Sequence, residues 1–369
     1  MKKIILIFSA IIICLTASAQ ALRSGSKRLR DGAMYTGPLL KDKPEGKGKA
    51  EYPDNSTYEG DFTKGLRNGY GTFTKPNGER YEGKWFKGEM HGPGTYYYKN
   101  NNHYVGEWYR NKKEGQGLMK YYNGDVYEGH WEKDVRSGKG KYTYKSGVVY
   151  TGDWANDKKN GEGIFEWPDG TRYKGHWVDD KRSGKGKNTF SDGEVYEGEW
   201  RQDVPWGTGK YFYKNGDVYE GEYYAGNRQG FGVYKMKAGG VYKGQFQNGI
   251  QSGQGEQRYR DGSTYVGQWK NGKRDGYGVY RERSGASYEG GWRANMMEGE
   301  GILKKSDGTE IRGTFVANAI DGNFVQIRKD GTKLYGHYSN GVENGTFITR
   351  DSRGNIIDRK NYVNGRLVR

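Results

Sequence analysis

The stretch YEGHWEKDVRSGKGKYTYKSGVV, residues 127–149, decides the architecture of this chain because it recurs with a fixed period. Steps of 23 residues from Tyr127, forward and back, define fourteen units that begin at Tyr35 and end with the unit of Leu334. No insertion separates these units. A constant period of this length indicates a tandem-repeat architecture in which each unit packs on its neighbours.

Glycine and aromatic residues occupy fixed positions when each unit is counted from its leading tyrosine. Positions 3 and 12 are glycine in all fourteen units, position 14 is glycine in twelve, and position 5 is aromatic in thirteen. Alternation places positions 1, 3 and 5 on one side of an extended chain, and positions 12, 14 and 16 on one side of the next. We therefore expect each ring to lie in a slot that a glycine leaves on an adjacent strand.

Two turn signals separate the expected strands. Position 8 is glycine, asparagine or aspartate in every unit, which predicts a left-handed residue in a turn within the unit. Positions 20 and 21 form pairs such as Asn77 with Gly78 and Asp169 with Gly170, a strong hairpin signal. The sequence therefore predicts an all-β fold: an elongated, single-layer antiparallel meander of tandem 23-residue β-hairpin repeats.

The ends of the chain differ from the regular array. Residues 1–19 combine Lys2 and Lys3 with an apolar run and a small-residue site at Ala17 to Ala19, the pattern of a secretory signal peptide. Residues 20–34 are expected to form a leader and an N-terminal half-repeat, 35–310 twelve regular repeats, and 311–369 degenerate repeats with a C-terminal cap. The expected location is periplasmic, outer-membrane-associated or extracellular. The only cysteine, Cys14, lies in the signal segment.

The charge balance favours anionic partners. The chain has 61 basic and 45 acidic residues, a formal net charge of +16. Such a surplus attracts lipid headgroups, acidic glycans or nucleic acid, and the expected export argues against nucleic acid.

A cationic ridge is predicted at the turn within each unit. Position 10 is basic in seven of the fourteen units, and these residues are the candidate anion-binding ridge: Arg67, Lys113, Arg136, Lys159, Arg182, Arg228 and Arg274. Position 7 adds Lys41, Lys64, Lys87, Arg110 and Lys133. One interpretation is solubility and protection of the sheet edge. The other is attraction of an anionic surface.

The aromatic side of the sheet also has two interpretations. The candidate aromatic face comprises Trp85, Trp108, Trp131, Trp154, Trp177, Trp200, Trp269 and Trp292. As a core, these rings supply buried apolar area that the composition otherwise lacks. As an exposed stripe, they would stack on sugars or contact a second copy of the chain. The sequence leaves both interpretations open.

These motifs resemble the membrane occupation and recognition nexus (MORN) repeat. The resemblance is carried by YEGKWFKGEMHGPG at residues 81–94, YEGEWRQDVPWGTG at 196–209 and YVGQWKNGKRDGYG at 265–278. It extends over about nine tenths of the chain that follows the signal segment. The resemblance implies a hairpin-repeat scaffold, a dimerisation element or a lipid-associated module.

No enzymatic constellation is evident in the sequence. His130 and His176 share a unit position but are separated by roughly 19 Å at ordinary strand spacing, too far to bind one metal. An uninterrupted array also lacks the long loops on which catalytic residues are common. We expect no catalytic residue, metal or cofactor. The predicted function is an exported, non-enzymatic scaffold of the cell envelope that binds a protein partner, itself or anionic lipid. The alternative is a glycan-binding module that uses the aromatic ladder.

Overall fold

A computed structural model describes residues 22–368 of the chain, and it consists of β-strands and turns throughout that range. The predicted signal peptide, residues 1–19, and Cys14 lie outside the described residues. Within those limits the structure has no helix whose length and apolar character would let it cross a membrane. The chain divides into two compact units, with the boundary between Lys158 and Lys159.

The first unit contains thirteen strands. Most repeats contribute one strand of seven residues and one of nine. The strands are β1 (Arg23–Arg28), β2 (Met34–Leu40), β3 (Lys43–Pro44), β4 (Gly46–Glu51), β5 (Thr57–Thr63), β6 (Leu66–Thr74), β7 (Arg80–Phe86), β8 (Glu89–Tyr97), β9 (His103–Tyr109), β10 (Lys112–Lys120), β11 (Val126–Glu132), β12 (Val135–Thr143) and β13 (Val149–Ala155).

The second unit continues the same alternation. The boundary falls at the start of its first strand. Its strands are β14 (Lys158–Glu166), β15 (Arg172–Val178), β16 (Lys181–Thr189), β17 (Val195–Arg201), β18 (Val204–Phe212), β19 (Val218–Tyr224), β20 (Asn227–Lys235), β21 (Gly240–Gln247), β22 (Ile250–Tyr259), β23 (Thr264–Lys270), β24 (Lys273–Arg281), β25 (Ser287–Arg293), β26 (Met296–Lys304), β27 (Glu310–Val316), β28 (Ala319–Ile327), β29 (Lys333–Ser339), β30 (Val342–Glu343), β31 (Gly345–Arg350), β32 (Ile356–Val363) and β33 (Arg366–Val368).

Strands within each unit pair antiparallel with their neighbours in sequence. In the first unit β11 pairs with β12, where Tyr127 faces Tyr142, and β12 pairs with β13, where Gly140 faces Gly152. The same register recurs in the second unit between β17, β18 and β19. The predicted all-β antiparallel meander of tandem hairpins is therefore confirmed.

The shorter turn of each repeat is a two-residue loop. Glu132 pairs with Val135, and the loop between them consists of Lys133 and Asp134, whose φ angles are 48° and 77°. Two consecutive positive φ values are the pattern of a type I′ turn, which matches the twist of the strands. The left-handed residue predicted at position 8 is confirmed, and the structure adds a second left-handed residue at position 7.

A β-bulge interrupts the hairpin beside this turn. Gly129 pairs with Gly140, whereas Trp131 pairs with Arg136, so the register shifts between the two pairs. Gly138 lies inside the bulge with φ of 61°. The glycine at position 12 is thus needed for its left-handed backbone. The expected role of this glycine as a slot for a ring was wrong, because the strand does not continue straight through it.

The glycines at positions 3 and 14 do provide the expected slots. A Cβ atom added to Gly140 would lie closer than 3.0 Å to the ring of Tyr127. Tyr127 is fully buried, and its hydroxyl donates a hydrogen bond of 3.0 Å to the carbonyl oxygen of His130. Each leading tyrosine thereby buries a large ring while its one polar group is satisfied.

Candidate functional site

The predicted aromatic face is the core of the protein. Trp154 meets Tyr127 and Tyr150 edge to face, with centroids 5.3 Å apart in both pairs, and its Nε1 donates to the carbonyl oxygen of Gly140 at 3.3 Å. Such T-shaped pairs stabilise beyond their buried area. All eight predicted tryptophans are only 2% to 6% exposed: Trp85, Trp108, Trp131, Trp154, Trp177, Trp200, Trp269 and Trp292. Their rings therefore present no open face on which a sugar could stack.

The basic residue at position 10 belongs to this core. The guanidinium carbon of Arg136 lies 4.3 Å from the ring centroid of Trp154, in the following repeat. Its Nε donates to Asp157 Oδ1 at 2.9 Å, and its Nη2 donates to the carbonyl oxygen of Asp157 at 2.6 Å. The side chain is only 18% exposed. We call this contact, a position-10 cation on the position-5 ring and position-8 turn of the next repeat, the clasp.

The clasp recurs wherever position 10 is basic. The distances from the cationic atom to the ring centroid are 4.1 Å for Arg67 on Trp85, 4.2 Å for Lys113 on Trp131, 4.8 Å for Lys159 on Trp177, 4.2 Å for Arg182 on Trp200, 5.3 Å for Arg228 on Phe246 and 4.2 Å for Arg274 on Trp292. This placement differs from the projecting ridge expected from the sequence. The bulge turns these side chains inward, where a ring and a carbonyl oxygen hold the charge. Their binding of an anion stays a prediction.

The clasp also closes the backbone of the turn. The amide N–H of Arg136 donates to Asp157 Oδ1 at 2.9 Å, while the amide N–H of Asp157 donates to the carbonyl oxygen of Arg136 at 3.2 Å. Burial against the ring lowers the pKa of the Lys113 ammonium. At Asp203, burial opposes ionisation, but hydrogen bonds from the Arg182 amide and from Lys181 leave the carboxyl with a lowered pKa.

The basic residues at position 7 have the opposite environment. They are Lys41, Lys64, Lys87, Arg110 and Lys133, all exposed and all left-handed, with φ between 48° and 53°. Three large apolar side chains project beside them: Leu66 is 49% exposed, Phe86 46% and Tyr109 48%. We call these cations and apolar side chains the basic turn edge. It combines accessible charge with accessible apolar surface within the first five repeats.

The basic turn edge includes a short stack of rings. His91 lies between Phe86 and Tyr109, with centroids 5.4 Å and 5.3 Å away. Lys87 Nζ lies 5.0 Å from the Phe86 ring, and the guanidinium carbon of Arg110 lies 5.3 Å from the Tyr109 ring. The sequence named the cations here but not the apolar residues. The signal available was an apolar residue at position 6 or 9 next to the turn.

Each of the two compact units also has a groove on its surface that the sequence analysis did not predict. Its floor is a row of paired glycines, and its walls come from positions 2, 4, 13 and 15, which alternate with the ring-bearing positions. The groove measures about 1220 Å³ between residues 47 and 107 and about 750 Å³ between residues 162 and 233. Lysines and glutamates form pairs on the wall, such as Lys187 with Glu197 at 3.8 Å and Lys210 with Glu220 at 3.5 Å. The balanced charge and backbone floor suit an extended polar chain.

Two histidines of the strands lie beside single polar neighbours and not in metal-binding clusters. Within residues 22–368, no three or more histidine, cysteine, aspartate or glutamate side chains are grouped so that they could hold a metal ion. His176 instead lies 3.3 Å from Glu162, and His337 lies 2.9 Å from Asn323, each across one strand pair.

Three solved structures illustrate the structural likenesses of the chain. The TCP domain of SAS-4 from Drosophila melanogaster, in complex with a proline-rich motif of Ana2, has 15% identity, covers 57% of this chain and 98% of its own, and has a TM-score of 0.26. The TCP10 domain of Danio rerio CPAP with a STIL peptide has 12% identity, coverage of 86% and 99%, and a TM-score of 0.20. Virginiamycin B lyase from Staphylococcus aureus has 11% identity, coverage of 93% and 89%, and a TM-score of 0.12. TM-scores this low do not establish a shared overall fold.

The sequence matches a known family over most of its length. No curated protein matches this sequence. The family model described as the MORN repeat matches residues 35–57, 58–80, 81–103, 104–126, 127–149, 150–172, 173–195, 196–218, 219–241, 242–264, 265–286 and 288–310. These twelve segments span more than half of the chain. Proteins built from such repeats are generally non-enzymatic scaffolds that bind other proteins, and this chain belongs to the MORN repeat family.

Proposed function

We propose that this MORN protein is an exported scaffold that holds an anionic lipid surface of the cell envelope through its basic turn edge. The observation that carries the proposal is the presence of five cations at left-handed positions in five successive turns: Lys41, Lys64, Lys87, Arg110 and Lys133.

Local conformation does not favour lysine or arginine at position 7. A left-handed backbone is tolerated best by glycine and asparagine, and other L-residues are disfavoured there. Four of the nine later repeats have asparagine at the same position, Asn156, Asn248, Asn271 and Asn340, with φ between 49° and 51°, and the other five have aspartate, glutamine or alanine. Because lysine and arginine are disfavoured in this left-handed conformation, a role in binding explains the five cations better than a role in folding.

The apolar neighbours of these cations identify the kind of surface. Phe86, Tyr109 and Leu66 are about half exposed and project beside Lys87, Arg110 and Lys64. Aromatic and long basic side chains together are typical of the boundary between lipid headgroups and acyl chains. Each basic residue near an anionic bilayer contributes roughly 1 kcal/mol of attraction. Five turns with three apolar side chains therefore suit an anionic bilayer better than a dissolved anion.

Vesicle binding of the purified chain tests the lipid contact. The variant Lys64→Asn, Lys87→Asn, Arg110→Asn and Lys133→Asn removes four charges and installs a residue that the turn favours. Binding to vesicles of phosphatidylcholine with phosphatidylglycerol should fall at least about tenfold, and raising the salt concentration should weaken the wild type in the same way. The variant Phe86→Ser with Tyr109→Ser should also bind more weakly, at unchanged charge.

A matched control removes four cations from other turns. The variant Lys214→Gln, Lys237→Gln, Arg260→Gln and Arg283→Gln has the same net charge as the asparagine variant and should keep its vesicle binding. Equal loss of vesicle binding in both variants would show that binding depends on net charge alone and not on the basic turn edge. If the wild-type protein does not bind anionic vesicles at low salt, the proposed lipid contact is wrong.

Export is a separate part of the proposal and rests on residues 1–19. Their cationic start, apolar run and small-residue site predict removal near Ala19. The test is the intact mass of the protein recovered from the cell envelope and culture medium. A mass that lacks these residues supports export, whereas full-length protein confined to the cytoplasm contradicts it.

A further inference from the structure

The longer turns of the second unit carry a second set of cations. Three successive repeats there, which begin at Tyr219, Tyr242 and Tyr265, have one basic residue at position 17, within the last two residues of a strand, and another two residues later in the turn that leads to the next repeat. The pairs are Lys235 with Lys237, Arg258 with Arg260, and Arg281 with Arg283, in three successive repeats. Lys214 and Lys304 extend the two rows at either end. We call the three pairs the arginine-rich turn edge.

These cations are accessible and uncompensated. All six side chains are exposed. In the part of the chain that the structure describes, none of the six forms an ion pair, although cations such as Lys139 and Lys181 pair with Asp153 and Asp203 at 2.6 Å and 2.9 Å. The charge of this edge is therefore available to an external anion.

The carboxylates in these turns and in the turn before them are engaged locally. Asp217 accepts hydrogen bonds from the Tyr234 hydroxyl at 2.7 Å and from the Lys237 amide at 2.9 Å. Asp261 accepts from the Ser263 amide and hydroxyl, and Glu282 accepts from the Ser284 hydroxyl at 2.9 Å. Three acidic groups against six basic groups leave the edge positive.

Packing between successive turns aligns the cations in a row. The stem of Arg260 crosses Gly239 of the preceding turn, where an added Cβ atom would lie 3.2 Å from Arg260 Cγ. Arg283 crosses Gly262 in the same way, with the corresponding distance to Cδ being 3.6 Å. Two strands separate equivalent residues, so the step along the row is roughly 9 to 10 Å.

The spacing and surroundings define the ligand. From this row we propose that the arginine-rich turn edge binds a linear acidic polysaccharide whose carboxylate or sulfate groups recur about once per two sugar rings. Arginine forks suit such oxyanions because they donate two parallel hydrogen bonds. Phosphates of a nucleic acid strand recur every 3.4 Å or so, much more closely than the cations.

A membrane surface fits this edge less well than a dissolved polymer. Within residues 235–240, 258–263 and 281–286, no large apolar side chain is exposed, unlike the basic turn edge of the first repeats. The row has charge without an apolar anchor. The inference does not rest on lipid binding, because the residues and the ligand are both different.

Polysaccharide binding by the purified full chain tests the inference. The variant Arg258→Gln, Arg260→Gln, Arg281→Gln and Arg283→Gln is compared with the wild type on heparin and on hyaluronate, with neutral dextran as the uncharged probe. Affinity for at least one acidic polymer should fall about tenfold or more, with a shallower dependence on salt. Dextran should not bind either protein. Circular dichroism verifies that the variant is folded.

The matched control is the asparagine variant of Lys64, Lys87, Arg110 and Lys133, which removes the same number of charges. It should retain acidic-polymer affinity within about threefold of wild type. Equal losses in the two variants, an unaffected glutamine variant, or absent wild-type binding would each overturn the assignment. Single-stranded DNA that binds more tightly than either polysaccharide, and depends on the same arginines, would replace it with a nucleic-acid site.

Discussion

Lys133 and Arg136 lie three residues apart beside one turn and have opposite environments. The Lys133 side chain is 74% exposed at the tip of the loop. Arg136 is 18% exposed and rests on Trp154 of the next repeat. The loop directs one cation outward, and the bulge beside it directs the other inward. Basic residues that a sequence count treats as one ridge thus divide into an outer set with accessible charge and an inner set that joins repeats.

The difference shows how to distinguish the two roles in this fold. An inner cation has a ring at position 5 of the following repeat as a partner, and the inner arginines also donate to a carbonyl oxygen at position 8 of that repeat, so their charge is satisfied inside the protein. An outer cation has a disfavoured backbone and only exposed neighbours, such as Glu132 at 3.8 Å from Lys133 and the Phe86 ring at 5.0 Å from Lys87. Removal of an inner cation is expected to change stability, whereas removal of an outer cation is expected to change binding. Four predictions test this division, and their expected effects decrease in order.

Alkaline pH should unfold the protein completely, because it ionises the buried tyrosines of the core. Burial raises the pKa of Tyr242, Tyr265 and Tyr288 from 10.0 to about 12. Because the folded-state pKa is raised, the associated stability is intact below pH 10.0 and is lost as pH climbs from 10.0 through about 12. We expect cooperative unfolding in that window, followed by circular dichroism alongside tyrosinate absorbance. Ionisation of these three tyrosines without loss of β-structure would contradict the buried placement.

Trp154→Ala should have the largest effect among single substitutions. It removes two edge-to-face contacts, an indole hydrogen bond and the ring beneath Arg136. The free energy of unfolding should fall by about 3 to 5 kcal/mol, measured by chemical denaturation. Tyr122→Ala is the control, since that side chain is 74% exposed and its loss should cost less than about 0.5 kcal/mol. Similar losses for the two substitutions would abolish the distinction between inner and outer aromatic residues.

Arg136→Gln and Lys133→Gln compare the two cations directly at equal change of charge. The first removes a cation–π contact and charged hydrogen bonds, so the free energy of unfolding should fall by about 1 to 3 kcal/mol. The second should change it by less than about 0.5 kcal/mol. Urea denaturation of both variants, with native-state hydrogen exchange at residues 135–155, measures the difference. An equal change in the free energy of unfolding for the two variants would show that the clasp does not stabilise the protein.

Lys133→Asn should slightly increase stability. Asparagine tolerates the φ of 48° better than lysine, and the side chain of Lys133 has little packing to lose. The gain in the free energy of unfolding should reach at most about 0.5 kcal/mol. The reciprocal change Asn156→Lys, at the same position with φ of 49°, should reduce stability by a similar amount. A loss of stability in Lys133→Asn together with a gain in Asn156→Lys would show that the left-handed backbone does not disfavour lysine at this position.

Local rules were sufficient to predict most of the fold. The 23-residue period placed the hairpins of the fourteen units, the residue types at position 8 predicted the left-handed turn, and Gly140 with Tyr127 illustrates the predicted slot for a ring. Two features were not predictable by alternation. The bulge at Gly138 changes the register, and strict alternation has no place for it. The second left-handed residue, at Lys133, was hidden because lysine is not a residue type that signals this conformation.

The candidate sites were less predictable, because a site depends on the direction in which each side chain points as well as on its position in the repeat. Arg136 and Lys133 are alike in charge, and only the bulge distinguishes their directions. For the tryptophans the sequence left core and exposed stripe both open, because their exposure depends on how the rings of neighbouring repeats pack. The arginine pairs at residues 258–260 and 281–283 were visible in the sequence. Their importance depends on packing against glycines of the preceding turn, which a single unit does not reveal.

The clasp has a consequence for how the gene can change. The unit of residues 127–149 contains both halves of the clasp, because Arg136 reaches forward to Asp157 while Asp134 accepts the Lys113 amide from the unit before. Recombination that deletes or duplicates one whole unit therefore restores every junction it disturbs. An insertion of one residue would misplace the partners of the clasp that it interrupts, because those partners lie 21 residues apart in the sequence. Array length is consequently free to vary between related genes in steps of one repeat, while the sequence period is held fixed.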